Sequence, residues 1–155
     1  MAKATVRTTQ GDFEIRLDPD ASPKAVESFT KLAADGFFAG THFHRIVPGF
    51  VVQGGDPTGT GTGGPGYTTV DPPSADTTYP QGAVAMAKKA DDPPGTAGSQ
   101  FFVVTGEDVS LPPDYAVIGQ VVDGLDVVLA IGELGDADQR PTERVEIREI
   151  AVGDE

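Results

Sequence analysis

The chain contains no cysteine, only two histidines, and 11 lysines and arginines against 24 aspartates and glutamates. Without cysteine there can be no disulfide, thiolate nucleophile, zinc–thiolate site or iron–sulfur cluster. The shortage of basic residues leaves a formal net charge of -13. That charge argues against a nucleic-acid partner, because phosphate affinity rests on clustered Lys and Arg. Long apolar runs are missing too. None approaches membrane-spanning length, and the opening Met1-Ala2-Lys3-Ala4-Thr5-Val6-Arg7 lacks the apolar core of a secretory leader. We therefore expect no membrane partner and a cytoplasmic location, with the acidic surface serving solubility or a high-salt habitat. No repeat, heptad or shift in composition divides the 155 residues. One domain over residues 1–155 is expected and, with no exposed apolar stripe, a monomer.

The residues that are present alternate more often than they spiral. Ala4–Thr9 and Phe13–Leu17 alternate around Gln10-Gly11-Asp12, which predicts a β-hairpin. Ser22 then stands as an N-cap with Pro23 at the first helical position. Ala25, Val26, Phe29, Leu32 and Ala33 follow at helical spacing until Gly36. Further strands are expected at Gly82–Ala87, Ser99–Val104, Ala116–Val122 and Arg144–Val152, and a second, shorter helix around Leu125, Val128, Leu129 and Ile131. Many strands with two widely separated helices predict a mainly β fold, an eight-stranded closed antiparallel β-barrel capped by two α-helices.

Thr58–Gly66 is rich in glycine, but it lacks the Lys-Ser/Thr of a phosphate loop and precedes no helical pattern, so we read it as a tight surface loop. The richest stretch is His42–Asp56. Read as one extended run, it puts Arg45 and Gln53 on the same parity and Phe50 on the other. Pro48-Gly49 is the expected bulge or kink that resets the alternation, so that a guanidinium, an amide and a phenyl ring share one shallow site.

Three blocks carry a resemblance: Phe43-His44-Arg45-Ile46-Val47-Pro48-Gly49-Phe50 with Gln53-Gly54-Gly55-Asp56, then Ala85-Met86-Ala87, then Gly98-Ser99-Gln100-Phe101-Phe102. In order and spacing they resemble the signature of the cyclophilin-type peptidyl-prolyl cis-trans isomerases. The resemblance covers nearly the whole chain and implies the same barrel. It also implies an enzyme that accelerates isomerisation of X-Pro bonds in proline-containing polypeptides and assists folding without a cofactor or metal. Arg45 matches the family's catalytic arginine. Phe50, Val51, Phe102 and Leu111 match the apolar pocket for the proline ring, Val51 standing where methionine is common. Gln53 and Gln100 match polar groups near the substrate backbone, and Ala87 the wall of the adjacent groove. Lys88 replaces a common asparagine, Tyr115 a common histidine, and Ser110 a tryptophan of some relatives. The last change implies reduced affinity for cyclosporin.

Two other function classes are weighed against this one. A binding adaptor would share the pocket but not turn its ligand over. A hydrolase would use His44 with a carboxylate, yet no motif supplies a nucleophile or an oriented base. By its parity opposite to Arg45, His44 is expected behind the site, in the core or against the site residues; His42 is expected at the rim. Phe101 is expected in the core and Phe102 in the pocket.

Overall fold

The computed structural model describes residues 2–154. In chain order its elements are β1 (Ala2–Thr8), β2 (Gly11–Leu17), α1 (Pro23–Ala34), β3 (Arg45–Val47), β4 (Val51–Gly54), β5 (Thr69–Val70), β6 (Ala83–Met86), β7 (Thr96–Ala97), β8 (Phe101–Val104), β9 (Val117–Asp123), α2 (Leu125–Gly132) and β10 (Ile147–Asp154). Eight strands form one antiparallel sheet in the order β10-β1-β2-β9-β6-β8-β4-β3, and β5 and β7 pair separately.

The sheet is curled around a core. On β2, Phe13, Ile15 and Leu17 are buried while Asp12 and Arg16 are exposed, as period-2 alternation requires. Among the described residues no ladder joins the edge strands β10 and β3. Their approach consists of an isolated bridge, His42 to Glu146, with the Phe43 amide donating to the Val145 carbonyl at 3.0 Å and that of Ile147 to Thr41 at 2.7 Å. The eight strands and two helices thus match the expectation in the form of a curled sheet. Helix α1 packs on β10 and β5, and α2 on β2, β3 and β4.

Helix α1 begins where its sequence says, but its cap comes from elsewhere. The Ser22 side chain makes no capping bond. The buried Asp71 carboxylate instead accepts from the Ala25 amide at 2.8 Å and the Lys24 amide at 3.4 Å. The short β5–β7 pair, which follows Tyr67 and Thr68, holds Asp71 in reach, since the Asp71 amide donates to the Gly95 carbonyl at 3.0 Å.

The strands β6 and β8, with Val51 and Val52 of β4, are apolar on both faces. Val52, Val84, Met86, Phe101 and Val103 enter the main core. Their neighbours Val51, Ala85, Phe102 and Val104 form a second cluster with Tyr79, on the opposite side of the sheet. Loop residues Val109, Leu111 and Tyr115 lie over that second face. An uninterrupted apolar strand therefore serves two separate cores, and the smaller one is only partly covered.

Candidate functional site

The stretch expected as one kinked strand folds back on itself. Residues β3 and β4 are antiparallel partners, with Arg45 opposite Gln53, Ile46 opposite Val52 and Val47 opposite Val51. Val47-Pro48-Gly49-Phe50 makes the reversal. The Phe50 amide donates to the Val47 carbonyl at 3.0 Å, and Gly49 has φ 72. Proline at the second turn position and a glycine with positive φ at the third are the residues a type II turn demands. Directly opposed residues of an antiparallel pair share a face, so Arg45 and Gln53 do come together, by a hairpin instead of a kink. The Phe50 carbonyl accepts from the Thr105 amide at 2.8 Å, which ties the turn to the chain after β8.

A row of polar side chains starts from this pair. Arg45 Nη1 donates to Gln53 Oε1 at 3.2 Å, Gln53 Nε2 to Gln100 Oε1 at 3.0 Å, and Gln100 Nε2 to the Gly63 carbonyl at 2.9 Å. On its other side Arg45 Nε donates to Gln139 Oε1 at 2.9 Å. Gln139 lies between α2 and β10, and no local pattern singles it out in the sequence.

Beside the guanidinium is a pocket of about 230 Å³ lined by Arg45, Phe50, Val51, Gln53, Ala87, Lys88, Phe102, Leu111 and Tyr115. Nine of the ten residues expected at the site therefore line one cavity. The tenth, Gln100, lines a neighbouring cavity of about 370 Å³ that shares Gln53, Ala87 and Lys88 with the first and is bounded by the glycine-rich loop. Phe102 meets Tyr115 edge-on, with ring centroids 5.3 Å apart. Phe101 turns the other way, into a ring cluster with Phe29, Phe38 and Phe43. Tyr79, unnoticed in the sequence, fixes Tyr115 by two bonds. Its hydroxyl donates to the Tyr115 carbonyl at 2.7 Å and accepts from the Tyr115 amide at 3.0 Å. Burial raises the Tyr79 pKa. The Lys88 ammonium sits 5.9 Å from the Tyr115 ring centre and donates to the Lys89 and Asp92 carbonyls, both at 3.2 Å.

Neither histidine lines these two cavities, so His42, expected at the rim, is not among the residues that bound them. Burial lowers the pKa of His44, whose buried Nδ1 has no hydrogen-bond partner, and also that of His42, whose Nδ1 lies 3.3 Å from Arg144 Nη1. Asp56 organises the glycine-rich loop. Its carboxylate accepts from the Thr58 amide and hydroxyl, each at 2.8 Å, from the Gly61 amide at 2.6 Å and from the Gly63 amide at 3.2 Å. Burial pushes this carboxyl up, but the hydrogen bonds outweigh it and hold the pKa at about 2.

A pKa depressed in the folded state stabilises the protein above the unfolded value of ~4, and the gain is lost as pH falls through about 2. The difference corresponds to ~2 kcal/mol. Asp56→Asn should therefore lower the melting temperature by a constant amount from pH ~5 to ~8, a gap that closes as the pH falls from ~4 toward ~2. A gap independent of pH in thermal melts would contradict the ionic role of Asp56.

The fold and site thus define a small, mainly β protein whose curled antiparallel sheet carries an arginine at the rim of an apolar, ring-lined pocket. The family model described as cyclophilin type peptidyl-prolyl cis-trans isomerase/CLD matches residues 3–152, and the chain belongs to this family. It is 39% identical over 171 aligned positions to peptidyl-prolyl cis-trans isomerase A of Mycobacterium tuberculosis, covering 97% of this chain and 92% of the relative. It is 46% identical over 115 positions to peptidyl-prolyl cis-trans isomerase B of Bacillus subtilis, covering 74% and 78%. A crystal structure of a Cryptosporidium parvum cyclophilin type peptidyl-prolyl cis-trans isomerase, in the presence of the dipeptide Ala-Pro, superposes with a TM-score of 0.88 at 30% identity, covering 99% of both chains.

Proposed function

We propose that this chain, as a peptidyl-prolyl cis-trans isomerase, turns X-Pro bonds of polypeptides in the 230 Å³ pocket, with Arg45 as the catalytic group. The proline ring enters among Phe50, Val51, Phe102, Leu111 and Tyr115. Gln53 and Gln100 engage the peptide backbone, and Ala87 and Lys88 form the wall toward the second cavity. The observation that carries this reading is the Arg45 guanidinium at the pocket's edge, with Nε and Nη1 bonded and no partner on Nη2 among the described residues. Amide resonance opposes rotation with a barrier of ~18–20 kcal/mol. The prolyl nitrogen regains its lone pair only in the twisted state, so a donor aimed there favours that state selectively.

Arginine alone is insufficient. A turnover of ~10²–10³ s⁻¹ corresponds to a barrier of ~14 kcal/mol, so ~5 kcal/mol must be supplied. One charge-assisted bond contributes ~1.5–3 kcal/mol. The rest falls to tighter packing of the twisted ring and to fixed dipoles in a partly dry site.

Exchange NMR on an X-Pro peptide with catalytic amounts of protein tests the proposal. Acceleration is expected without added metal, with kcat/KM varying less than about threefold from pH ~6 to ~9, because a guanidinium does not titrate there. A bound peptide with unchanged exchange would mean an adaptor. Loss of rate below pH ~6.5 that vanishes in His44→Gln would mean a histidine base. Cyclosporin added to the same assay should inhibit weakly, since Ser110 offers neither ring surface nor an indole donor. We also read the barrel as closed across the His42–Glu146 seam, which the Phe43 and Ile147 amide bonds support.

A further inference from the structure

We propose that Gln139 is a positioning residue, which holds the Arg45 guanidinium in the one orientation that presents Nη2 to the prolyl nitrogen. The inference rests on the reading of Arg45 given above. Two features single out this glutamine. Its φ is 65, and it is the one non-glycine residue with positive φ among the described residues. Its side chain is exposed, yet Oε1 is committed to Arg45 Nε at 2.9 Å. A left-handed backbone at a residue with a long side chain is unfavourable and persists where surrounding structure imposes it.

Here the imposing structure is visible. The Asp136 carboxylate accepts from the Asp138 and Arg140 amides at 2.8 and 3.0 Å, and the Gln139 amide donates to the Asp136 carbonyl at 3.0 Å. The Gln139 carbonyl in turn accepts from the Ile46 amide at 3.0 Å. The tip of the loop is thus anchored to the residue following Arg45, and the distance its side chain must span is set by backbone on both sides. A Cβ on Gly135 would collide with the Ile46 carbonyl oxygen, so the loop also lies hard against β3.

The consequence for the guanidinium is geometric. With Gln53 alone on Nη1, the group can pivot about that contact. A second acceptor on Nε, from a different element, fixes its plane. Gln139 does not line the pocket, so its loss should leave substrate binding intact and reduce the fraction of complexes with the donor aimed correctly.

The test is Gln139→Gly and Gln139→Asn, in the wild-type and Arg45→Ala backgrounds. Glycine relieves the positive φ and asparagine tolerates it, so neither should lower the melting temperature. Both remove the acceptor at the required reach. We expect kcat to fall about tenfold, the scale of one charge-assisted hydrogen bond, with KM within twofold. The Arg45 Nε–H resonance should lose its protection from exchange, and Gln139→Glu, which keeps an oxygen at the same reach, should recover most of the rate. In the Arg45→Ala background the substitutions should have no further effect. Unchanged kcat in both variants, or the same loss with and without Arg45, would overturn the positioning role alone. A wild-type rate in Arg45→Ala itself would overturn the reading beneath it.

Discussion

Arg45→Ala is expected to lower kcat/KM at least tenfold without unfolding the protein. The side chain is partly exposed at the start of β3, and its neighbour Ile46 holds the strand in the core with 0% exposure. Removing the guanidinium therefore costs little packing. It removes the guanidinium donors at the pocket's edge, and loss of one charged bond of ~1.5–3 kcal/mol corresponds to a rate change of ~10–150-fold. Arg45→Lys should recover little. An ammonium on a flexible stem has no planar fork with which to satisfy Gln139 and Gln53 while aiming a third donor elsewhere. Exchange rates near wild type in either variant would remove Arg45 from its role.

The second large effect is expected at Phe102, where stability and binding are joined. Phe102 is 5% exposed on β8 and packs edge-on against Tyr115, 5.3 Å away. Truncation of a buried phenylalanine to alanine costs ~3–5 kcal/mol. In Phe102→Ala the pocket also loses its floor, so KM should rise sharply at temperatures where the variant is still folded. Phe101→Ala provides the control. Phe101 is fully buried on the same strand but faces the opposite core, so comparable destabilisation should leave KM close to wild type. Equal effects of the two variants on KM would mean that Phe102 does not form the floor of the substrate pocket. Denaturant melts and peptide titrations together separate the outcomes.

The pairing of Arg45 with Gln53 was legible although the strand reading behind it was not. Their positions have equal parity, and parity is preserved both along a strand and across a hairpin whose partners sum to a constant, as Ile46 with Val52 and Val47 with Val51 do. Sequence alone could not distinguish those cases, because Pro48-Gly49 serves equally as a kink or as the centre of a turn. Ser22 illustrates the opposite outcome. Local rules located the helix start correctly, but the cap bond comes from Asp71, a residue delivered by a loop pairing 46 positions away. Gln139 and Tyr79 were invisible for the same reason. Each acts on a site residue through a hydrogen bond whose partner is distant in the chain.

What the sequence determined by itself is what neighbouring residues decide among themselves. Alternation set the first hairpin, the missing cysteine ruled out whole chemistries, and the signature blocks selected the family. Period-2 alternation also required Phe101 and Phe102 to part company. The resemblance assigned Phe102 to the pocket and Phe101 to the core, but what covers each face and what bonds the guanidinium on both sides were decided only by tertiary structure. Burial and orientation depend on what packs over each face, and here that cover comes from Tyr79, from the 109–115 segment and from the loop that carries Gln139.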